Sequence, residues 1–503
     1  MPKTTTNRKM VTVAMLVAIL LVAIDVTVVS TAMPRIVSDL SGLKLISWVF
    51  AIYTLTTSVT TPIYGKLADL FGRKKVFMTG VILFVAGSML SGAAQTMHQL
   101  IWFRAFQGIG AGAVMPLTFT IIGDLYPGEQ RAKMQGVFSS IWGIAGLLGP
   151  LVGGFFVDQI SWRWIFYINL PVGLVSIVLI TFFFHETVEL KKERKVDYLG
   201  AVTFTIGIST LLYALLNAGP GQKYAWNSAT IYMLFAVAVI FIVLFGYIET
   251  KVKEPMLPPS LFKIPVILVS NFIGFLASAV LIGVNVYLPM WIQTILGHSA
   301  TSSGLTLMPM SIAWPLGATF AGRYMYKIGS KLTAVIGAVL IALGGTWLLA
   351  VELDSSYWYF VGIMIVIGLG MGYATTPTTV LVQAAVGWQM RGAATASNSF
   401  TRSIGQTVGI AVFGTIFNNS LIQFGKEHSN GAWSGGGNIN NLLSSEAVNK
   451  LPANVMRLIQ EALAHGMHLV FILVFFIAIA NLLATFLLPS HKKVMEQQKQ
   501  VQH

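Results

Sequence analysis

Apolar runs of spanning length recur along the whole chain, and they constrain its fold more than any other feature. Examples lie at residues 11–33, 76–96, 266–296 and 470–488, the first broken only by Asp25. At 1.5 Å rise per residue, about 20 residues of helix cross the roughly 30 Å hydrocarbon core of a bilayer. The runs are continuous rather than alternating, which selects helices over barrel strands. Charge composition agrees: only 10% of the 503 residues are charged, against about 25% in soluble domains. So few charges cannot coat a globular surface, and lipid must stand in for water around much of the chain. The expected fold class is an all-α polytopic membrane protein.

Fourteen spans are predicted, at about 11–33, 46–65, 76–96, 99–122, 135–157, 164–184, 198–217, 228–248, 265–291, 302–322, 332–351, 358–381, 395–417 and 466–488. An even number places both termini on one side. Of the 32 Lys and Arg, 23 fall in the N-terminus, the loops after even-numbered spans and the C-terminus; seven fall opposite, and Arg104 and Arg402 lie inside spans. Basic residues concentrate on the cytoplasmic side of inner-membrane proteins. The bias therefore predicts a multi-pass protein of the cytoplasmic membrane with both termini cytoplasmic. It also explains the net charge of +14 as topology, so nucleic acid is not an expected partner.

Several chemistries find no support. The chain has no cysteine, which removes disulfides and thiol catalysis. The first apolar run is of spanning length and has no small-residue cleavage site before Pro34, so no cleaved leader is expected. There is no Gly-rich phosphate loop ending in Lys-Ser/Thr, no HExxH and no pair of intramembrane carboxylates. His98, His465 and His468 lack metal-site spacing. No enzyme, metal or cofactor is expected, and energy from ATP has no visible site.

The chain repeats itself. Gly108, Gly110 and Gly112 in the fourth span recur 260 residues later as Gly368, Gly370 and Gly372, and Arg131 recurs as Arg391. Gly65 and Gly72, after the second span, recur as Gly322 and Gly329, after the tenth. Two six-helix halves are implied. The expected organisation is an N-terminal bundle over 1–190, two extra helices with charged or Pro-rich linkers over 191–262, and a C-terminal bundle over 263–503. The last contains a long outer loop at about 418–465, whose 441–464 portion has the pattern of a surface helical hairpin or of a tolerated insertion.

Family resemblance enters with specific motifs. GKLADLFGRKKV at 65–76 resembles the loop between helices 2 and 3 of the major facilitator superfamily, through Gly65, Asp69, Gly72, Arg73 and Lys74. AIDVTVVSTAMP, around Asp25, resembles the helix 1 signature of the fourteen-helix drug–proton antiporters. RAFQGIGAG at 104–112 is similar to their helix 4 motif with its buried arginine, and GIAGLLGPLVGG at 143–154 to their helix 5 antiporter motif. WRWIFYINLPVG at 162–173 resembles the segment that opens helix 6. The C-terminal half departs from the loop pattern, with Tyr326 in place of the acid and Ser330 in place of the arginine, so it should contribute less to a charge latch. The resemblance implies a proton-coupled exporter of hydrophobic or amphiphilic drugs, cationic ones included, that works as a monomer in lipid.

Within that frame, Asp25 is the acid well inside a span, and Arg104 sits at a similar depth in a neighbouring one. Burial disfavours the charged carboxylate and a nearby arginine favours it, so conformation can control protonation. Asp25 is expected to couple to protons, with Arg104 modulating it. Its counterpart at the 260-residue shift is Asn285, which leaves the second half without a titratable partner. Gln107, Trp142, Asn285, Tyr287, Trp291, Trp314 and Asn398 are candidate substrate-cavity residues. Gly143, Gly146, Gly149, Gly153 and Gly154 return at helical steps, making a small face for close helix approach, and Pro150 permits bending. Asp69, with Arg73, Arg131, Asp124 or a helix N-terminus of the other half, is expected to form a conformational latch. Two other readings fit the spans: a dedicated exporter of one metabolite or lipid-like compound, and a membrane receptor or scaffold without turnover.

Overall fold

The computed structural model describes residues 6–40, 45–126, 128–186, 196–219, 223–298, 305–428 and 453–489. Among these residues the chain is helical. The helices are α1 (Arg8–Leu40), α2 (Ile46–Phe71), α3 (Arg73–Gly92), α4 (Met97–Leu125), α5 (Gly128–Gln159), α6 (Trp164–Tyr167), α7 (Asn169–Phe183) and α8 (Tyr198–Asn217). They continue as α9 (Ala229–Lys251), α10 (Pro259–Phe262), α11 (Pro265–Thr294), α12 (Met308–Ile328), α13 (Ser330–Leu349), α14 (Tyr357–Ala384), α15 (Trp388–His428) and α16 (Ala453–Phe486).

Twelve spans are long and apolar enough to cross a membrane by themselves, with α6 and α7 acting as one. The two further helices of spanning length, α2 and α12, have 26 and 21 residues. Both are more amphipathic than the other spans; α12 packs on α14 and α5 while exposing Ile312, Leu316 and Phe320 along one face. The threonines of α2 return hydroxyl protons to carbonyls four residues back, as Thr56 does to Ile52 and Thr60 to Thr56, which lets polar side chains sit in an apolar setting. With these two, fourteen elements of spanning length stand among the described residues, in line with the number expected.

The halves assemble alike. In the first, α4 packs on α2 and α3, and α1 packs on α5 and α7; in the second, α14 packs on α12 and α13, and α11 packs on α15 and α16. The repeated glycines make these contacts. Gly110 meets α3 at Gly80 and Phe84, and Gly370 meets α13 at Gly337 and Ile341. Gly108 and Gly112 abut α2 as Gly368 and Gly372 abut α12. In each case a Cβ would strike a neighbouring helix, so glycine sets the interhelical distance.

The inserted pair lies across the seam. α8 packs against α9, α2 and α15, and its Phe204, Ile208 and Leu212 join Val59 of α2 and Phe400 of α15 in one buried cluster. α9 packs chiefly on α8 and exposes Tyr232, Met233, Val239, Ile240 and Val243, a face suited to lipid.

Some helix ends differ from the sequence reading. α15 runs from 388 to 428 rather than 395–417, and α16 starts at 453 rather than 466. Polar and glycine residues lowered the apparent span length, although the helical hydrogen-bond ladder continues through them. The outer loop is correspondingly shorter, and 453–464 is no separate hairpin: Ile459 and Leu463 are buried where α16 continues into its span. Residues 429–452 lie outside the described residues.

The two halves also share one sharp turn. Gly72 (φ 97°) links α2 to α3, and Gly329 (φ 92°) links α12 to α13. Positive φ with extended ψ is nearly restricted to glycine and costs other residues about 1–3 kcal/mol. A Cβ on Gly72 would also meet the Glu186 carboxylate. Gly72→Ala is therefore expected to lower the thermal unfolding temperature of the purified protein, with little change for Gly246→Ala, where a Cβ meets open space. Equal melting temperatures for the two variants would contradict this.

Candidate functional site

Asp25 lies on α1 about 26 Å along the helix from Arg8, by helical rise. Its side chain is fully buried. Arg104 Nη1 of α4 donates to Asp25 Oδ2 at 2.6 Å, and Gln107 Nε2, one turn further on, donates to Oδ1 at 2.8 Å. Arg104 Nη1 also donates to Gln107 Oε1 at 2.8 Å. Asn169 of α7 adds a longer bond to Asp25 Oδ1, 3.2 Å, and donates to Ser88 Oγ of α3 at 2.9 Å. The Arg104 guanidinium stacks 4.1 Å from the Tyr53 ring centroid. One carboxylate thus joins α1, α4 and α7, and through Asn169 reaches α3. Adding a proton to it removes an acceptor that three donors use.

Gln107 therefore belongs to this network rather than to a substrate cavity. Asn169 was not singled out from the sequence. It is an uncharged residue 144 positions from Asp25, and only the fold brings it near. At the repeat positions of Arg104 and Gln107 stand Met364 and Ile367, both fully buried in the apolar core of the second half. Among the described residues, the polar site is present in one half only.

The aromatic candidates separate. Tyr287 is buried edge-on against Phe413 and Phe417, and Trp291 is buried beside Phe471. Both are core residues, which corrects the cavity expectation, since an aromatic on a span reads alike whichever way it faces. Trp314 is partly buried against the same core, and Trp142 is exposed. Asn285 is half-buried with Oδ1 lacking a partner. Asn398 is buried, donating to Asn271 Oδ1 at 3.0 Å, while Asn271 donates to Ser397 Oγ at 2.9 Å.

On α5, the small face meets two different helices. A Cβ at Gly143 would strike the Ser311 carbonyl of α12, and Gly146 lies against the Ser311 hydroxyl, so these two residues let the halves touch. Gly149 instead admits Thr27 of α1, whose hydroxyl donates to Ala145 O at 3.1 Å, two residues from Asp25. Gly153 is buried, Gly154 has open space beside it, and the helix continues through Pro150.

At the basic end, the halves are tied together. Asp69 Oδ1 and Oδ2 accept the backbone amides of Gly392 and Ala393 in the first turns of α15, at 3.1 and 2.9 Å. Arg73 pairs with Asp69 at 2.9 Å and with Asp124 at 3.2 Å, donates to Trp388 O at 2.7 Å and stacks 3.6 Å above the Trp388 ring. Arg391 pairs with Asp124 from the other side. Gly65 approaches Gly392 and Ala396 too closely for a side chain, and Gly322 does the same at Ala132. Arg131 departs from the expectation: it donates to Tyr126 O at 3.2 Å and does not reach Asp69. Lys74 caps the end of α7 through Thr181 O and Phe184 O, so it braces the first half. Glu186, overlooked in the sequence, accepts the amides of Arg73 and Lys74 at the start of α3.

Two repeated helical bundles joined by glycine contacts, with an ion-paired carboxylate, Asp25, buried inside the first, define the class of membrane transport proteins. Comparison with known proteins narrows the class. The Major Facilitator Superfamily profile matches residues 15–196 and 190–410. The multidrug transporter protein MdtP of Bacillus subtilis (strain 168) is 37% identical over 98% of this chain and 96% of its own length. Multidrug resistance protein 3 of the same organism is 36% identical over 93% of this chain and 92% of its own. The crystal structure of the human organic anion transporter MFSD10 superposes with a TM-score of 0.65 over 96% of this chain and 100% of that one; at 12% identity the likeness is one of fold. The chain belongs to the major facilitator superfamily, alongside relatives of the multidrug efflux type.

Proposed function

We propose that this protein is a proton-coupled antiporter that exports hydrophobic or amphiphilic compounds across the cytoplasmic membrane by alternating access, working as a monomer. The observation that carries the reading is Asp25, a fully buried carboxylate whose acceptor positions are filled from α4 and α7. Its charge is felt directly by three helices, so a proton there changes how α1 packs, including the Thr27–α5 contact beside it. The seam closed by Asp69, Arg73 and Asp124 corresponds to a state shut at the basic, cytoplasmic end. The cycle runs as follows. Open to the outside, Asp25 takes a proton and substrate leaves. The halves rock, the proton departs to the cytoplasm, and substrate loads again. Exchange requires that proton and substrate oppose each other's binding.

Relatives named for multidrug transport support export as the direction and a broad substrate range. The test uses everted vesicles containing the protein and a fluorescent amphiphile. Acidifying the interior is expected to drive dye accumulation, and collapsing the pH gradient with nigericin to abolish it. Accumulation that survives the collapse would contradict proton coupling.

A further inference from the structure

Three arginines described above have carboxylate partners: Arg104 has Asp25, Arg73 has Asp69 and Asp124, and Arg391 has Asp124. Arg402 of α15 has none. It makes no hydrogen bond or ion pair among the described residues, and no carboxylate acts on it electrostatically. It stands eleven residues beyond Arg391, about 16 Å deeper along the helix, far from either lipid headgroup layer. The side chain lies deep in the helical assembly yet keeps part of its surface accessible. It is therefore not fully packed over, and water or a small molecule can touch it.

Its surroundings are built for a polar guest. The Arg402 stem runs over Gly274 of α11, where a Cβ would lie 3.0 Å from Cγ; glycine leaves room for the arginine. Asn398, one turn below on the same face of α15, is held by Asn271. Gln406, one turn above, is half-buried and makes no side-chain hydrogen bond among the described residues. The intervening Phe400 and Ile404 turn the other way, into the cluster with α2 and α8. Arg402 and Gln406 thus present free donors along one face. An unpaired cation at this depth is disfavoured unless a ligand or water answers it, and a guanidinium fork is shaped for two-point contact with an oxyanion.

The geometry points to Arg402 as the docking point for the anionic group of a transported substrate: a carboxylate, sulfonate or phosphate carried on an amphiphilic body. This deepens the export reading and rests on it. The substrate range then includes organic anions and zwitterions. Asp25 takes no part in holding them, because its own acceptor positions are filled within the first half.

The test is binding to the full chain in nonionic micelles, which keep anionic lipid out. The probes are a rhodamine bearing a free benzoate and the ethyl ester of the same dye, followed by fluorescence anisotropy. Arg402→Gln is expected to weaken the acid at least about tenfold and the ester less than about twofold, and Arg402→Lys to restore part of the loss. If Arg402→Gln does not fold, Arg402→Lys alone should weaken the acid several-fold and spare the ester. An acid dye that binds every variant equally, or acid and ester weakened in parallel, overturns the assignment while leaving export intact. Wild-type protein that binds the ester but not the acid also overturns it. If wild-type protein binds neither dye, the export reading itself fails, and the assignment with it.

Discussion

Asp25→Asn is expected to reduce gradient-driven accumulation in everted vesicles from about hundredfold to near unity while substrate binding persists. The size follows from the driving force. One proton crossing a gradient of about two pH units releases about 2.7 kcal/mol, enough for a hundredfold concentration ratio. Asparagine keeps the shape of the side chain and one acceptor oxygen for Gln107 or Arg104, so the helices can still meet. It cannot titrate, so no proton is exchanged for substrate. It also leaves Arg104 without a carboxylate partner, facing the Gln107 amide oxygen and the Tyr53 and Phe166 rings. Removing one partner of a buried ion pair typically costs about 3–5 kcal/mol, so the variant should melt earlier as well. Asp25→Glu separates the two effects: it restores a titratable group in displaced geometry, and some accumulation should return with it. Wild-type accumulation in Asp25→Asn vesicles would remove this residue from the coupling step.

Asp69→Ala is expected to open the basic end. Asp69 accepts two amides from α15 and pairs with Arg73, so its loss strips the closed state of three charge-assisted contacts and leaves Arg73 with Asp124 alone as its carboxylate partner. A differential loss of about 3 kcal/mol shifts the balance between closed and open forms about 150-fold. The chain contains no cysteine, so a single reporter can be placed without background. Thr319 sits half-buried on α12 against Gly136 of α5, inside the seam. In a Thr319→Cys protein, maleimide labelling should speed up at least about tenfold when Asp69→Ala is added. Unchanged labelling would mean that the seam is held by the glycine contacts rather than by the charges.

How much of this was legible beforehand follows from what each feature depends on. Span number and the repeat were readable because lipid demands long apolar helices and because glycines at Gly110 and Gly370 serve the same close contact in each half. Span ends at α15 were not, since Gln389 and Arg391 before the predicted span, and Asn418, Asn419 and Gln423 after it, lower the hydropathy of a helix that is held by its backbone bonds. The Asp25–Arg104 pair was readable because intramembrane charges are few and need partners. Asn169 was invisible, because nothing uncharged in a span announces a bond to a residue 144 positions away. Tyr287 and Trp291 were misread because an aromatic's neighbours, not its identity, decide between cavity and core. The Asp69 contact with the α15 amides was half-anticipated: a helix start was named as a partner, and its being residues 392 and 393 required the fold.

The most direct measurement counts protons. Substrate is added to the purified protein in weakly buffered micelles, and the pH change is followed across starting values from about 5 to 9. Antagonism between substrate and a proton on Asp25, carried by the change in helix packing, predicts proton release on binding, and none from Asp25→Asn. Saturable binding with no proton released at any starting pH, or equal release from the two proteins, would contradict the account.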